Sequence, residues 1–136
     1  MIQSDDTSVL SKFKTVPAYK RVLSIKEIIG DVPKQTVEEI KKFADAVNLP
    51  RSSIVTTNGG FTTTFTTVVD ELHAANISAY VSVLRNEYVA IAFDFFSDPA
   101  VELATYVGRI GIDGVVTDYP KTADAYLSKP ITYPTV

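Results

Sequence analysis

The chain has no cysteine and no tryptophan in its 136 residues, and a single histidine and a single methionine. Without cysteine, disulfides and thiolate metal sites are excluded. No stretch approaches the ~20 consecutive apolar residues of a membrane-spanning helix. An excess of one charge is lacking too: 13 basic against 16 acidic side chains leave a net charge of −3. That creates no field attractive to nucleic acid or anionic lipid. Lys12, Lys14, Lys20 and Arg21 carry some positive charge, but spread over a helix end and a strand start they read as a solvated rim. The first six residues lack the basic and apolar segments of a signal peptide, so if the natural protein is secreted its signal is expected outside this chain.

What is present is ordinary globular composition, 46% hydrophobic and 21% charged, in a length that suits one domain with a real core. Short β-branched runs bounded by turn residues predict strands over 21–25, 53–57, 79–84 and 114–118. Met1, Ile2 and Gln3 read as the end of a further strand. Helices are predicted between them. Residues 36–47 open with Thr36 and Glu39 as a capping box and place Val37, Ile40, Phe43, Ala44 and Val47 on one stripe. Phe65, Val68, Val69, Leu72 and Ala75 repeat that spacing. Asp98 and Pro99 form a cap and first-turn proline ahead of Val101, Ala104, Val107 and Ile110. Shorter helices are expected over 7–14 and 122–127, and 129–136 reads as an irregular tail. Residues 1–128 therefore make an α/β domain with a parallel sheet covered by helices. An open five-strand sheet of flavodoxin type and part of a closed eight-strand barrel both fit this alternation.

In either architecture the functional groups gather where strands end. Those ends read Ser4-Asp5-Asp6, Lys26-Glu27, Asn58-Gly59-Gly60, Arg85-Asn86-Glu87 and Asp118-Tyr119-Pro120. The set is polar and mixed in charge, with no nucleophile–base pair. Asp5 and Asp6 could bind Mg²⁺, as in receiver domains, but they precede Val9 and Leu10 as helix-capping residues do. Asn58-Gly59-Gly60 could offer backbone N–H groups to a phosphate or make a plain tight turn. Arg85 could clamp a phosphate or pair with Glu87 or Asp118. His73 lies late in a helix, far from the strand ends, where a surface or packing role is expected. Asn76-Ile77-Ser78 is a glycosylation sequon, usable at Asn76 in the secretory pathway. Residues 86–97 carry Tyr88, Val89, Ile91, Phe93, Phe95 and Phe96, either a packed loop or an apolar lid over the functional end.

Three segments carry a family resemblance. They are Ala79-Tyr80-Val81-Ser82-Val83-Leu84-Arg85-Asn86, Ala92-Phe93-Asp94-Phe95-Phe96-Ser97-Asp98, and Gly111-Ile112-Asp113-Gly114-Val115-Val116-Thr117-Asp118-Tyr119-Pro120. Together they resemble the C-terminal region of glycerophosphodiester phosphodiesterases, and the last resembles the family's eighth-strand signature. Gln3-Ser4-Asp5-Asp6 and the segment from Lys34 to Lys42 look like the plant, two-domain, phosphodiesterase-like branch. The resemblance implies a TIM (β/α)8 barrel of which this chain supplies about strands four to eight, with Met1, Ile2 and Gln3 ending the fourth.

It also implies hydrolysis of a glycerophosphodiester to an alcohol and glycerol 3-phosphate, with a divalent metal, Ca²⁺ or Mg²⁺, held by groups on strands one to three. Those groups, a His-Arg pair and a set of Glu, Asp and His, have no counterpart here. What carries over is the far wall of the pocket, with Arg85, Asn86, Ser4 and Asp118 as substrate contacts. Where the family's seventh strand usually ends Trp-Thr-Val-Asn, this chain has Ser82-Val83-Leu84-Arg85, then Asn86. An extracellular or plasma-membrane-anchored location follows from the same resemblance. The alternative reading is a cell-surface or cell-wall structural or interaction protein that keeps the barrel without turnover. In either case, unpaired strand edges would favour self-association.

Overall fold

The computed structural model describes residues 1–30, 34–85, 91–96 and 98–128. Five parallel strands form one sheet: β1 (Ile2–Ser4), β2 (Arg21–Ser24), β3 (Ala46–Pro50), β6 (Ser78–Leu84) and β7 (Gly114–Thr117). The other two, β4 (Val55–Asn58) and β5 (Phe61–Phe65), form a separate antiparallel hairpin. Helices α1 (Thr7–Lys12), α2 (Lys34–Phe43), α4 (Val68–Ala74), α5 (Pro99–Leu103) and α6 (Pro120–Ser128) lie between the strands, and α3 (Arg51–Ile54) is a single turn. No helix among the described residues is long and apolar enough to cross a membrane.

The sheet order is β1-β2-β3-β6-β7, so the strands succeed one another in chain order once the hairpin is set aside. A doubly wound open sheet reverses its order at a switch point and carries helices on both faces. Neither feature is present among the described residues. Leu10, Val37, Ile40, Val69, Leu72 and Leu103 from the helices join Leu23, Val47, Leu49, Ala79 and Val81 from the strands in a single core, so the helices cover one face. The open-sheet alternative is thereby set aside: the fold is a curled parallel half-barrel.

Sequence and structure differ most at β3. The run 53–57 was expected to be a sheet strand, yet 46–50 takes that place, with Ala46, Val47 and Leu49 wholly buried between β2 and β6. Burial of side chains such as Val47 and Leu49 is worth about 1.5–3 kcal/mol each, which outweighs the continuation of the helical stripe. The helix consequently ends at Phe43, and Thr36 sits inside it rather than capping it. Residues 53–57 divide between the α3 turn and the first arm of the hairpin.

Further on, Asp98 caps α5 as expected, its carboxylate accepting from the Ala100 N–H at 2.8 Å with Pro99 following. The helix then widens to π-helical geometry over Ala104–Ile110; Val107 and Ile110 of the expected stripe pack against the core, but Glu102, Leu103 and Tyr106 lie deeper. The tail 129–136 lies outside the described residues.

Candidate functional site

The two ends of the sheet carry different chemistry. At the end where strands begin, Asp45 and Asp113 each stand one residue before a strand and bond to the N–H of the neighbouring strand's chain. The Asp45 carboxylate accepts from the Arg21 N–H at 3.0 Å and from the Arg21 guanidinium at 3.1 and 2.9 Å. Asp113 accepts from the Ala79 N–H at 2.8 Å and lies 2.9 Å from the His73 ring. The Arg21 hydrogen bonds hold the Asp45 carboxyl below its usual range. Burial pushes Asp113 up, but the Ala79 N–H and His73 outweigh it and its pKa is lowered. His73, exposed and bonded to Asp113, takes the surface alternative of the surface or packing role expected of it. Asn76 is exposed at this same end, in the turn before β6, and its backbone is left-handed (φ 60°).

Where the strands end, Asp6 caps α1 through the Ser8 N–H at 2.7 Å, and Ser4 Oγ accepts from the Asp6 N–H at 3.0 Å. Asp5 pairs with Lys26 at 2.5 Å, and that hydrogen bond lowers its pKa. Arg85 Nε meets Asp118 Oδ2 at 3.0 Å, both side chains more than half exposed. Of the four residues assigned to substrate, then, the structure brings Arg85 and Asp118 together on β6 and β7. Ser4 ends the opposite edge strand, with β2 and β3 between it and β6. Asn86 lies outside the described residues.

The residues Asn58-Gly59-Gly60 do not end a sheet strand. Asn58 closes β4, and Gly59 (φ 58°) and Gly60 (φ 85°) make the two-residue turn of the hairpin, both in the left-handed region such a turn demands. A side chain at Gly60 would collide with the Phe93 ring, so glycine there also admits the neighbouring segment.

A cavity at this end was not foreseen. Arg51 follows β3 directly, and its Nη1 donates to Glu102 Oε1 at 2.8 Å; both residues line a cavity of about 340 Å³. Ser52, Thr57 and Ser82 add hydroxyls to its lining; Val55, Ile91 and Phe95 supply an apolar wall. The Glu102 side chain is 3% exposed and that of Arg51 28%. Burial pushes the Glu102 carboxyl up to about 7 against the opposing pull of Arg51, and burial likewise raises the Tyr106 phenol beside it. Arg51 was overlooked because the strand it terminates was misplaced; Pro50, closing a buried run just before a basic residue, was the available signal.

Among the described residues no three carboxylate or imidazole groups converge to hold a metal ion. Asp5, Glu102 and Asp118 are instead each paired with a cation of the chain. The residues here do not fit a divalent cation by themselves.

No family model matches the chain. Curated relatives match it over nearly its whole length. Glycerophosphodiester phosphodiesterase GDPDL6 of Arabidopsis thaliana is 62% identical over 130 residues, 96% of this chain and 17% of the relative. GDPDL7 of the same plant is 59% identical over the same shares. Protein SUPPRESSOR OF NPR1-1 CONSTITUTIVE 4, also of Arabidopsis thaliana, is 41% identical over 93% of this chain and 11% of its own length. The chain is thus similar to plant glycerophosphodiester phosphodiesterases and spans about a sixth of the length of GDPDL6 and of GDPDL7.

Proposed function

We propose, on the premise that this chain corresponds to a segment of a plant glycerophosphodiester phosphodiesterase, that it forms one wall of the substrate pocket of a metal-dependent phosphodiester hydrolase. The observation that carries the reading is the 62% identity over 96% of the chain. The five consecutive parallel strands support their assignment as strands four to eight of a (β/α)8 barrel, with the β4–β5 hairpin inserted after the sixth. On this reading Arg85 and Asn86 contact the polar groups of a glycerophosphodiester, and Ser4 and Asp118 line the same wall. Asp118 occupies the Arg85 guanidinium until an anion competes for it. The Ca²⁺ or Mg²⁺ would take its ligands from elsewhere in the whole protein, and no chemical step is assigned to it here. The edges of β1 and β7 would pair with the missing strands, or with a second copy when this chain stands alone.

The test is release of glycerol 3-phosphate from glycerophosphocholine by the whole protein with Ca²⁺ or Mg²⁺, beside the same protein carrying Arg85→Ala. Turnover is expected, with KM raised about tenfold by the substitution. No release above the metal-free blank sinks the reading. The 136-residue chain alone is expected to release none.

One observation favours a second reading, a non-catalytic extracellular or membrane-anchored interaction protein. Asn76 is exposed in its turn at the end of the sheet opposite the strand-end groups, so a glycan there would leave those groups open. Secretory expression followed by glycosidase treatment checks it: a mobility shift lost in Asn76→Gln is expected, and no shift removes this support.

A further inference from the structure

The cavity lined by Arg51 and Glu102 contains a carboxylate oxygen with nothing to bond. The Glu102 side chain is 3% exposed, and its Oε1 accepts from Arg51. Its Oε2 has no hydrogen-bond partner among the described residues, yet it is not a sealed atom, so it opens on the cavity that Glu102 lines. Buried acceptors are almost always satisfied, because an unmade hydrogen bond leaves the cost of desolvation uncompensated. One that opens on a cavity has room for a donor.

The surroundings decide what kind of donor. Ser52, Thr57 and Ser82 bring hydroxyls to the same space, and a hydroxyl can both donate and accept. Ser82 Oγ donates to the Leu49 carbonyl at 3.4 Å and keeps its lone pairs. Val55, Ile91 and Phe95, all buried, form the apolar wall. A volume of about 340 Å³ is at the small end of ligand pockets, which combine apolar walls with a few placed polar groups in this way.

Charge narrows the choice further. Arg51 and Glu102 offset one another at pH 8, so the pair brings no net charge to the cavity. An anion would be repelled by the Glu102 carboxylate, and a cation by the Arg51 guanidinium, whose Nη1 is 2.8 Å from Oε1. A neutral molecule with several hydroxyls meets neither obstacle. It offers an O–H to Oε2, further hydroxyls to the serine and threonine side chains, and C–H surface to the apolar wall.

We infer that this cavity binds a neutral polyol, with Glu102 Oε2 accepting from one of its hydroxyls. None of Ser4, Arg85 and Asp118 is among the described lining, so the site is separate from the groups assigned to the phosphodiester.

The test is calorimetric titration of the 136-residue chain at pH 8 with myo-inositol, cyclohexanol, ethanolamine and inorganic phosphate. Cyclohexanol has the same ring with a single hydroxyl, ethanolamine carries a positive charge and phosphate a negative one. Myo-inositol is expected to bind about tenfold more tightly than any of the other three. Glu102→Gln keeps an oxygen for Arg51 but turns an NH₂ group toward the ligand, and should weaken myo-inositol about tenfold. Thr57→Val, a change of the same shape at an exposed position, should weaken it about threefold and decides the matter if Glu102→Gln does not fold. No binding of myo-inositol, or equal binding of cyclohexanol, would make the cavity a plain hollow and overturn the proposal. Tighter binding of ethanolamine or phosphate, or unchanged affinity in either variant, would overturn it as well. Since binding is read without turnover, neither result bears on the cleavage assay of the whole protein.

Discussion

The beginning and the end of the sheet's strands hold their charges in different ways. Where the strands begin, Asp45 and Asp113 bond to backbone N–H groups as well as to Arg21 and His73, so each carboxylate ties together two strands. Where the strands end, Asp5–Lys26 and Arg85–Asp118 are side-chain pairs on the surface, and Arg51–Glu102 is a pair in the wall of a cavity. Charge that is bonded to the backbone is fixed when the chain folds. Charge held in an exposed side-chain pair such as Arg85–Asp118 can be lent to a ligand. Parallel α/β barrels keep structure at one end of their strands and function at the other, and this half-barrel shows that division in its hydrogen bonds.

The largest break is expected inside the cavity. Arg51→Met leaves the Glu102 carboxylate buried and unpaired, which costs about 3 kcal/mol in urea unfolding at pH 8. Adding Glu102→Leu should restore most of that loss, because apolar residues fill the same space without desolvating a charge. The pair has a pH signature as well. Burial raises the Glu102 pKa from 4.5 to about 7, so the folded chain binds the proton more tightly than the unfolded chain does. Its ionisation penalty is absent below pH 4.5 and fully in force above about 7. Stability therefore falls as pH rises through that window, by an amount on the order of 3 kcal/mol. Glu102→Gln, compared with the parent by urea unfolding from pH 4 to 8, should abolish that fall; a parallel slope in both proteins would show that Glu102 does not titrate there.

At the other end the expected loss is smaller and of opposite pH sign. Asp45→Ala removes the acceptor of one backbone and two guanidinium donors, but its side chain is 43% exposed, so water replaces part of what is lost. About 2 kcal/mol is expected by urea unfolding. Because the Asp45 pKa is lowered in the folded state, its contribution is present above about 3.8 and is lost as pH falls below that value. Asp45→Ala should accordingly match the parent most closely in acid.

Sequence alone recovered most of this frame. It placed β1, β2, β6, β7 and the Asp98-Pro99 cap because short β-branched runs and capping chemistry are local signals. It misread β3 because Val47 continues the helical stripe of Val37 and Ile40, while Asn48 and Pro50 disguise a buried strand. The threonine-rich run at 53–57 has the stronger local β signal, yet it forms an excursion, since the central place in the sheet went to the segment with more apolar surface to bury. That one exchange hid Arg51, whose importance depends on which strand it ends. Glu102 was hidden for a different reason: it is buried within α5 beside Leu103, off the expected stripe of Val101, Ala104 and Val107. Arg85 and Asp118 were legible because their strands were, and their pairing is a contact that strand order makes.

The smallest expected effect on stability belongs to that pair, and it separates the two ends most cleanly. Both side chains are more than half exposed, and exposed ion pairs contribute little. Asp118→Asn should therefore shift stability by less than about 0.5 kcal/mol, well below the loss expected at Asp45. Its effect on substrate depends on whether Asp118 competes for the Arg85 guanidinium or aims it. If the carboxylate mainly competes, Asp118→Asn lowers KM for glycerophosphocholine in the whole protein; if it mainly aims, KM rises together with a fall in kcat. The exposed geometry favours competition, because a pair with this much water around it imposes little order on the guanidinium, so a lowered KM with unchanged kcat is the expected outcome. A stability loss as large as that of Asp45→Ala would instead place Arg85 and Asp118 with the structural charges at the opposite end, and the division between the two ends would fail.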